Sequence, residues 1–317
     1  MPEPPGVKST PHATLTSNTA PCSSLTITLF TQSKCNSNTN IMQNHRTADA
    51  LSYKSLDTTG LRERFLLEDS FNIGELTLTY TDIDRAITGS AVPTNSPLKL
   101  EAADALRSDF FCQRRELGIL NIGQAGSVNV DGQQFQLNKL ECLYVSRGSK
   151  EITFESKDPS QPAEFFLLSY PAHHAYPTTH ATLDQANKLE LGGSSTANER
   201  HLYQFIHPNG IQSCQLVMGF TVIQTGSTWN TMPPHTHDRR SEVYCYFDIA
   251  DGHRVAHFMG HPDETRVLWM SEKNIALSPS WSVHCGAGTG KYAFIWGMGG
   301  ENQDFDDMDG FPLSTLR

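Results

Sequence analysis

Short segments of alternating apolar and polar residues, separated by turn residues, recur from residue 61 to the end of the chain. Residues 126–137 read GSVNVDGQQFQL, and the Asp131–Gly132 pair in their middle is typical of a two-residue hairpin turn. A comparable series returns after residue 200, as in SEVYCYFDIADGHRVAHFM. Short strands with Gly, Asp-Gly and Pro turns between them predict an all-β fold, either an antiparallel sandwich or a barrel.

The return of the strand series indicates a tandem arrangement of two β domains. Residues 171–200 are predicted to contain the linker between them, and we place the two domains at 42–180 and 181–317. Few segments of the sequence show the pattern of an α-helix. The segment KLEAADALRSDFF at 99–111 is the place where one short helix is expected.

The N-terminal 41 residues differ in composition from the rest of the chain. They are rich in Ser, Thr, Asn and Pro, and LTITLF is their one apolar run. This composition predicts a disordered extension. The segment also lacks the longer apolar centre and the cleavage site of a secretory signal. Met42 offers an alternative start, in which case residues 1–41 are not translated.

Charge and cysteine usage exclude several classes of partner. The formal net charge of −10 and the pI of about 5.7 argue against binding to nucleic acid or to an anionic membrane, because phosphates would be repelled. No apolar run approaches the roughly 20 residues needed to span a bilayer. The seven cysteines are irregularly spaced and form no CxxC pair. This pattern favours reduced thiols, and therefore a cytoplasmic protein.

A possible metal site stands out in PPHTHDRRSEVY, residues 233–244. His235 and His237 are two apart, so in a strand both side chains face the same side. The short turn DRRS then brings Glu242 back beside them. Divalent metals bind imidazole nitrogen and carboxylate oxygen together. The alternative is a pair of surface histidines on a hairpin. His284 follows about forty residues later in SPSWSVHCGAG, a separation at which an antiparallel barrel brings a strand back beside an earlier neighbour.

The order HxHxxxxE followed by PxxxxH resembles the two sequence motifs of the cupin superfamily. That resemblance implies two tandem cupin-like, jelly-roll antiparallel β-barrels, with the metal site in the second. It also implies that His235, His237, Glu242 and His284 hold the metal. The sequence departs from the usual motifs where Trp229, Trp281 and Gly288 replace other residues. The first half contains no HxH and is expected to be structural.

A narrower resemblance rests on RRELGILNIG, NTMPPHTHDRRSEVY, SPSWSVHCGAGTGKYAFIWGM and GENQDFDDMD. These runs resemble the bacterial 5-keto-4-deoxyuronate isomerase family, over residues 48–317. The resemblance implies a ketol-isomerase of pectin breakdown that interconverts 5-dehydro-4-deoxy-D-glucuronate and 3-deoxy-D-glycero-2,5-hexodiulosonate. It further implies one zinc ion per subunit, a small uronate as the substrate and a homo-hexameric assembly.

The sequence offers several candidates for the chemistry without choosing among them. Arg239 and Arg240 lie in the turn beside the histidines and can bind the substrate carboxylate, unless they form a solvated basic turn. Tyr244 shares the strand face of the glutamate and can line the cavity. Glu301 and Asp306 belong to an acidic cluster that can shuttle a proton, although such a charge run is usually a solvated face. His253, His257 and His261 are expected to be structural or to line the cavity.

Two other functions are compatible with the same four ligands. An iron-dependent cupin dioxygenase uses a similar set of side chains, and a non-catalytic sugar-binding cupin needs no reaction at all. Metal analysis together with an assay of uronate isomerisation separates these alternatives.

Overall fold

The computed structural model describes residues 42–317, so the predicted extension at 1–41 lies outside the described residues. Strands dominate this part of the chain. The first half contains β1 (Met42–His45), β2 (Leu66–Leu67), β3 (Leu76–Thr81), β4 (Ile87–Ala91), β5 (Leu98–Lys99), β6 (Arg115–Asn121), β7 (Gly126–Val130), β8 (Gln133–Leu137), β9 (Cys142–Val145), β10 (Ile152–Ser156), β11 (Phe165–Pro171) and β12 (Thr179–Ala181).

The second half contains β13 (Asn187–Leu191), β14 (Arg200–Ile206), β15 (Val217–Ile223), β16 (Trp229–Asn230), β17 (His235–Thr236), β18 (Arg240–Phe247), β19 (Val255–His261), β20 (Glu264–Met270), β21 (Ile275–Ser278), β22 (Cys285–Gly288), β23 (Ala293–Gly300) and β24 (Asp309–Gly310). Within residues 42–317 the one α-helix is α1 (Thr58–Phe65). Short 3-10 helices cover Ser52–Ser55, Asp104–Leu106, Phe111–Gln113, Leu183–Gln185, Ser194–Thr196 and Leu313–Thr315. None of the described helices is long and apolar enough to cross a membrane.

Each half is built from one large and one small sheet. In the first half the orders are β1-β3-β4-β11-β6-β9-β12 and β5-β10-β7-β8. In the second half they are β13-β14-β15-β23-β18-β21-β2 and β16-β22-β19-β20, with β17 and β24 forming a separate pair. The strand pairs are antiparallel except for β1 with β3 among the named strands of residues 42–317. The predicted all-β fold with two tandem cupin-like halves is confirmed.

Three apolar clusters show how these sheets are layered. One cluster, which includes Val128 and Phe154, fills the space between the two sheets of the first half. A second joins the two large sheets and includes Leu168 and Ile295. The third fills the second half and includes Trp296. The two large sheets are therefore the inner layers, buried on both faces, and the small sheets are the outer layers.

Strand β18 illustrates this burial on both faces. Every residue from Arg240 to Phe247 is buried. Val243 and Cys245 pack in the cluster between the large sheets, whereas Tyr244 and Tyr246 pack inside the second half. Successive side chains of a strand point to opposite faces. The alternation therefore places Glu242 in the interior of the second half, on the same face as Tyr244.

The N-terminal part of the described chain packs against the second half. Strand β2 pairs with β21. Tyr53 is fully buried, and its hydroxyl donates to the carbonyl of Glu264 and accepts from the amide of His261. The Tyr53 ring lies 4.8 Å from the ring of Trp281. Trp281, which departs from the cupin motif, thus has a packing role, because its side chain contacts Tyr53 of the N-terminal segment.

One prediction about local structure was wrong. Residues 99–111 form no α-helix; they contain the 3-10 turn Asp104–Leu106, which ends at Arg107 in a left-handed conformation with φ of 48°. The helix that does form, α1, begins after Asp57, whose side chain accepts from the amide of Gly60. Its sequence TTGLRERF has weak helix propensity, and it is stabilised by the burial of Leu61 and Phe65.

The segment predicted as a linker, 171–200, is more ordered than expected. Strand β12 pairs with β9 of the first half, and β13 pairs with β14 of the second. The chain passes between the two halves through the turn Leu183–Gln185. Strand pairing with distant partners, which local composition does not report, gives this segment its structure.

Candidate metal centre

Four side chains converge in the interior of the second half, and we call them the His-Glu cluster: His235, His237, Glu242 and His284. His235 belongs to β17, His237 follows it, Glu242 lies in β18, and His284 directly precedes β22. All four are buried, and one ligand atom from each lies within 4.8 Å of the others. The turn at 238–241 and the return of the chain to β22 therefore bring together residues that are 49 positions apart.

The nitrogen atoms of the three imidazoles point toward a common centre. His235 Nε2 lies 3.2 Å from His237 Nε2 and 3.2 Å from His284 Nε2. His237 Nε2 lies 3.0 Å from Glu242 Oε1. Glu242 Oε2 is buried and has no hydrogen-bond partner among the described residues. Converging nitrogen lone pairs beside an unpaired buried carboxylate oxygen are the donor set that a divalent cation binds, so the cluster fits a metal ion.

The opposite nitrogen of each imidazole faces an acceptor oxygen. His237 Nδ1 donates to the carbonyl of Asp307, and His235 Nδ1 lies 3.3 Å from the carbonyl of Pro233. His284 Nδ1 lies 3.3 Å from the carbonyl of Ser282. A proton held at Nδ1 leaves the Nε2 lone pair directed at the centre. This is the arrangement by which outer hydrogen bonds orient metal-binding histidines.

The environment keeps His235, His284 and Glu242 in the protonation state that metal binding requires. Burial lowers the pKa of His235 and of His284, so both imidazoles remain neutral. Burial alone would raise the pKa of the Glu242 carboxyl, but His284 and the two other imidazoles hold that pKa well below its usual range. Neutral imidazoles and an ionised carboxylate can bind a cation without first losing a proton.

A cavity of about 390 Å³ opens beside the cluster. It is large enough for a small molecule. Its lining combines apolar side chains with a few polar ones. The polar and charged lining residues outside the cluster are Arg200, Thr221, Thr231, Arg240 and Tyr244, and the aromatic ones include Phe294, Trp296 and Phe305.

Tyr244 is a predicted candidate that lies beside the cluster. Its ring centroid is 5.7 Å from that of His284, and its hydroxyl is 3.4 Å from the Thr231 hydroxyl. Thr231 has a φ of 51°, which is uncommon for a β-branched residue. Burial, followed by the charge of Glu242, raises the pKa of Tyr244 well above its usual value. The phenol therefore stays protonated and acts as a hydrogen-bond donor.

The two arginines of the turn differ in position. Arg239 pairs with Asp307 and Asp309 and does not line the cavity. Arg240 is buried and lines the cavity, but its guanidinium donates to the carbonyl of Asp304 at 2.6 Å and to that of Asp307 at 3.3 Å. Both side chains thus hold the acidic C-terminal segment against the second half.

Glu301 and Asp306 are exposed and do not line the cavity beside the cluster. The acidic segment nevertheless contributes to the site through its backbone. Strand β24 pairs with β17, and the carbonyl of Asp307 accepts from His237. In the structure, the acidic segment positions His235 and His237.

Sequence reasoning did not single out Arg200 or Trp296, which both line the cavity. Both residues lie in strands, whose successive side chains point to opposite faces. The only feature that could have indicated a role in the cavity was their position on the interior face.

His257 was expected to be structural or to line the cavity. It is fully buried, and its Nδ1 lies 2.8 Å from the hydroxyl of Tyr246. Burial lowers the pKa of His257 to about 4, so its ring is neutral.

The fold and the donor set define a cupin-like protein with a candidate metal centre in its second half. Residues 66–310 match the model of the KduI/IolB family, and the chain belongs to that family. This confirms the resemblance carried by the sequence motifs.

Relatives align over nearly their whole length. The 4-deoxy-L-threo-5-hexosulose-uronate ketol-isomerase of Halalkalibacterium halodurans is 46% identical over 276 residues, covering 87% of this chain and 100% of the relative. The protein of the same name from Lachnoclostridium phytofermentans is 50% identical over 264 residues, covering 83% and 96%. Among solved structures, an IolB-like protein from Salmonella typhimurium has a TM-score of 0.62 at 12% identity, covering 76% of this chain and 94% of that one. The last similarity concerns the fold alone.

Proposed function

We propose that this protein is a ketol-isomerase that converts 4-deoxy-L-threo-5-hexosulose uronate, also called 5-dehydro-4-deoxy-D-glucuronate, into 3-deoxy-D-glycero-2,5-hexodiulosonate during pectin breakdown. The observation that carries the proposal is the buried His-Glu cluster opening on a cavity of about 390 Å³. Whole-length relatives that bear the name of this activity support it. In the reaction a proton leaves the hydroxyl-bearing carbon and another is added at the neighbouring carbonyl carbon, through an enediolate.

We further propose that His235, His237, Glu242 and His284 hold one zinc ion per subunit. A bound divalent cation would act as a Lewis acid toward the α-hydroxy carbonyl of the substrate. The carbonyls of Pro233, Asp307 and Ser282 fix the three imidazoles in orientation. Because this support comes from backbone atoms, it does not depend on flexible side chains.

Tyr244 is assigned the role of a hydrogen-bond donor to the substrate within this proposal. Its hydroxyl faces the cavity beside Glu242, and its raised pKa keeps the proton in place at neutral pH. The hydroxyl can donate a hydrogen bond to a substrate oxygen on which negative charge develops. Phe294 and Trp296 cover the apolar wall and exclude water from the reacting carbons.

The proposal includes the setting of the enzyme. We propose a cytoplasmic homo-hexamer in which each chain consists of an N-terminal domain at 42–180 and a C-terminal domain at 181–317. The N-terminal domain has a structural role, since none of the four cluster residues belongs to it.

The test uses purified full-length protein, with its metal content measured by mass spectrometry. Proton NMR follows 4-deoxy-L-threo-5-hexosulose uronate, and an oxygen electrode monitors the same reaction. We expect one zinc per chain, conversion to the 2,5-diketo product and no oxygen uptake. Oxygen consumption would instead identify an iron-dependent dioxygenase. Binding of the uronate without turnover would identify a sugar-binding cupin.

A further inference from the structure

Arg200 is a charged side chain in the cavity wall without a charged partner. It begins β14, is half-buried, and lines the same cavity as Glu242 and Tyr244. Its guanidinium donates one hydrogen bond, from Nη1 to the carbonyl of Asn198 at 2.9 Å. Within residues 42–317 no carboxylate lies within ion-pair distance of it. The remaining donors of the guanidinium are therefore available to a ligand.

The other arginines near the cavity are held by more protein contacts than Arg200, although the buried Nε of Arg240 has no hydrogen-bond partner among the described residues. Arg239 is paired with two carboxylates, and Arg240 donates to two backbone carbonyls. Buried arginines are normally paired, because a partly desolvated charge without a partner is unfavourable. Burial lowers the pKa of Arg200, while the hydroxyls of Tyr244 and Tyr292 offset part of this effect. The guanidinium of Arg200 is therefore suited to bind an anionic ligand, because the ligand supplies the missing charged partner.

The location of Arg200 defines the kind of ligand. In the large sheet, strands β15 and β23 lie between β14 and β18, so the axes of β14 and β18 are about 14 Å apart. Glu242 and Tyr244 extend into the cavity from β18, and Arg200 extends into it from β14. A ligand that contacts both sides must be longer than a single functional group. A six-carbon acid with oxygens at one end and a carboxylate at the other meets this condition.

We infer that Arg200 binds the carboxylate of the substrate and thereby makes the cavity selective for an acidic sugar over a neutral one. This inference rests on the proposed isomerase function. The guanidinium presents parallel N–H groups that match a carboxylate in a bidentate pair. The carboxylate at Arg200 leaves the opposite end of the substrate at the His-Glu cluster, where the α-hydroxy carbonyl reacts. Arg200 is thus a specificity-determining residue.

The test compares Arg200→Met and Arg200→Lys with the wild type, in the full-length, metal-loaded protein. Arg254→Met is the matched control, since Arg254 is exposed and its side chain makes no hydrogen bond to the described residues. Calorimetry measures the binding of D-galactonate and of galactitol, two open-chain six-carbon probes that differ in the carboxylate. Kinetics of the uronate reaction give kcat and KM separately, and mass spectrometry gives the metal content.

We expect the wild type and Arg254→Met to prefer D-galactonate over galactitol. Arg200→Met should lose that preference and raise KM by about 10- to 100-fold, as expected for loss of a charge-assisted hydrogen-bonded pair, with a smaller change in kcat and unchanged metal content. Arg200→Lys should recover part of the preference, and it keeps the test decisive if Arg200→Met does not fold.

Equal binding of D-galactonate by the wild type and a folded Arg200 variant would overturn the inference, as would a wild type without preference between the probes. Either result leaves the isomerase proposal intact if turnover persists. Absence of turnover in the wild type would refute the isomerase, while the binding measurements would still decide whether Arg200 is a carboxylate site.

Discussion

The three histidines of the candidate metal centre each direct Nε2 toward the others, and each has an oxygen acceptor at Nδ1. This orientation is a property of individual side chains and of the carbonyls behind them. It leaves one lone pair per ring directed at the centre. Glu242 adds an ionised carboxylate with one buried oxygen that has no hydrogen-bond partner within the described chain. At the scale of residues, the site is organised for a cation.

Tyr244→Phe tests the hydrogen-bond-donating role at the same scale. The substitution removes one hydroxyl and keeps the ring that packs beside His284. We expect kcat to fall by about 10²–10³-fold, which is typical for loss of one hydrogen-bond donor to a developing negative charge. Metal content and thermal stability should change little. Tyr203→Phe is the control, since this ring stacks on Phe220 and its hydroxyl makes no hydrogen bond to the described residues. Activity of Tyr244→Phe equal to that of the control would exclude the role.

At the scale of elements, strand alternation and turns determine which side chains meet. Tyr244 and Glu242 share one face of β18, and Val243 takes the other. This was predictable, because the period of two follows from strand geometry and needs no knowledge of the fold. The hairpin at β7 and β8 was also predictable from its Asp-Gly turn, where Asp131 has a φ of 51° and Gly132 a φ of 88°.

Other elements depend on contacts that no short window of sequence contains. Helix α1 is stabilised by the burial of Leu61 and Phe65 against the second half rather than by its own propensity. The segment 99–111 has helix-forming residues, yet it folds as short turns. Arg200 could not be recognised as a cavity residue, because its importance lies in the absence of a carboxylate near it in space. The spacing of His235, His237 and Glu242, by contrast, was predictable, because these three residues lie close together in the sequence.

Gly132→Ala tests whether the hairpin contributes stability without contributing to the site. A side chain at a φ of 88° is strained, although no atom lies within 4 Å of its Cβ position. We expect a loss of about 1–2 kcal/mol in the free energy of unfolding, measured by urea denaturation.

Gly193→Ala is the matched control. Its Cβ position is equally open, but its φ of −173° suits any residue, so stability should be unchanged. Metal content per folded chain should remain the same in both variants, because the first half supplies no residue of the His-Glu cluster. Loss of metal from folded Gly132→Ala would indicate that the first half shares the site.

At the scale of the whole molecule, the two halves are joined by the cluster between the large sheets and by one buried carboxylate. Glu116 of β6 accepts the amides of Cys214, Gln215 and Leu216, at 2.7–2.9 Å. The hydroxyl of Tyr144 also donates to it. Four donors from both halves therefore converge on a single side chain that is fully buried. The second half, which contains the site, is thus held to the first by polar as well as apolar contacts.

Glu116→Gln should destabilise the protein by about 2–4 kcal/mol. The amide group of glutamine replaces one of the two acceptor oxygens and leaves buried donors facing a donor. Urea denaturation measures the effect. Glu155→Gln is the control, because Glu155 is exposed and makes no side-chain hydrogen bond within residues 42–317. A Glu116→Gln protein as stable as this control would show that the contact between the halves does not depend on the charge.

The measurement that tests the central claim most directly is the metal content and isomerase activity of His284→Ala. Removing this imidazole leaves three cluster residues. The neighbouring Cys285 lines a different cavity, and burial raises the pKa of its thiol to about 12, so no thiolate replaces the imidazole. His261→Ala is the control, since His261 is exposed and pairs with Asp263. We expect folded His284→Ala to lose both its metal and its activity on the uronate, while His261→Ala keeps both. A folded His284→Ala protein that still isomerises the uronate after treatment with a chelator would contradict the account.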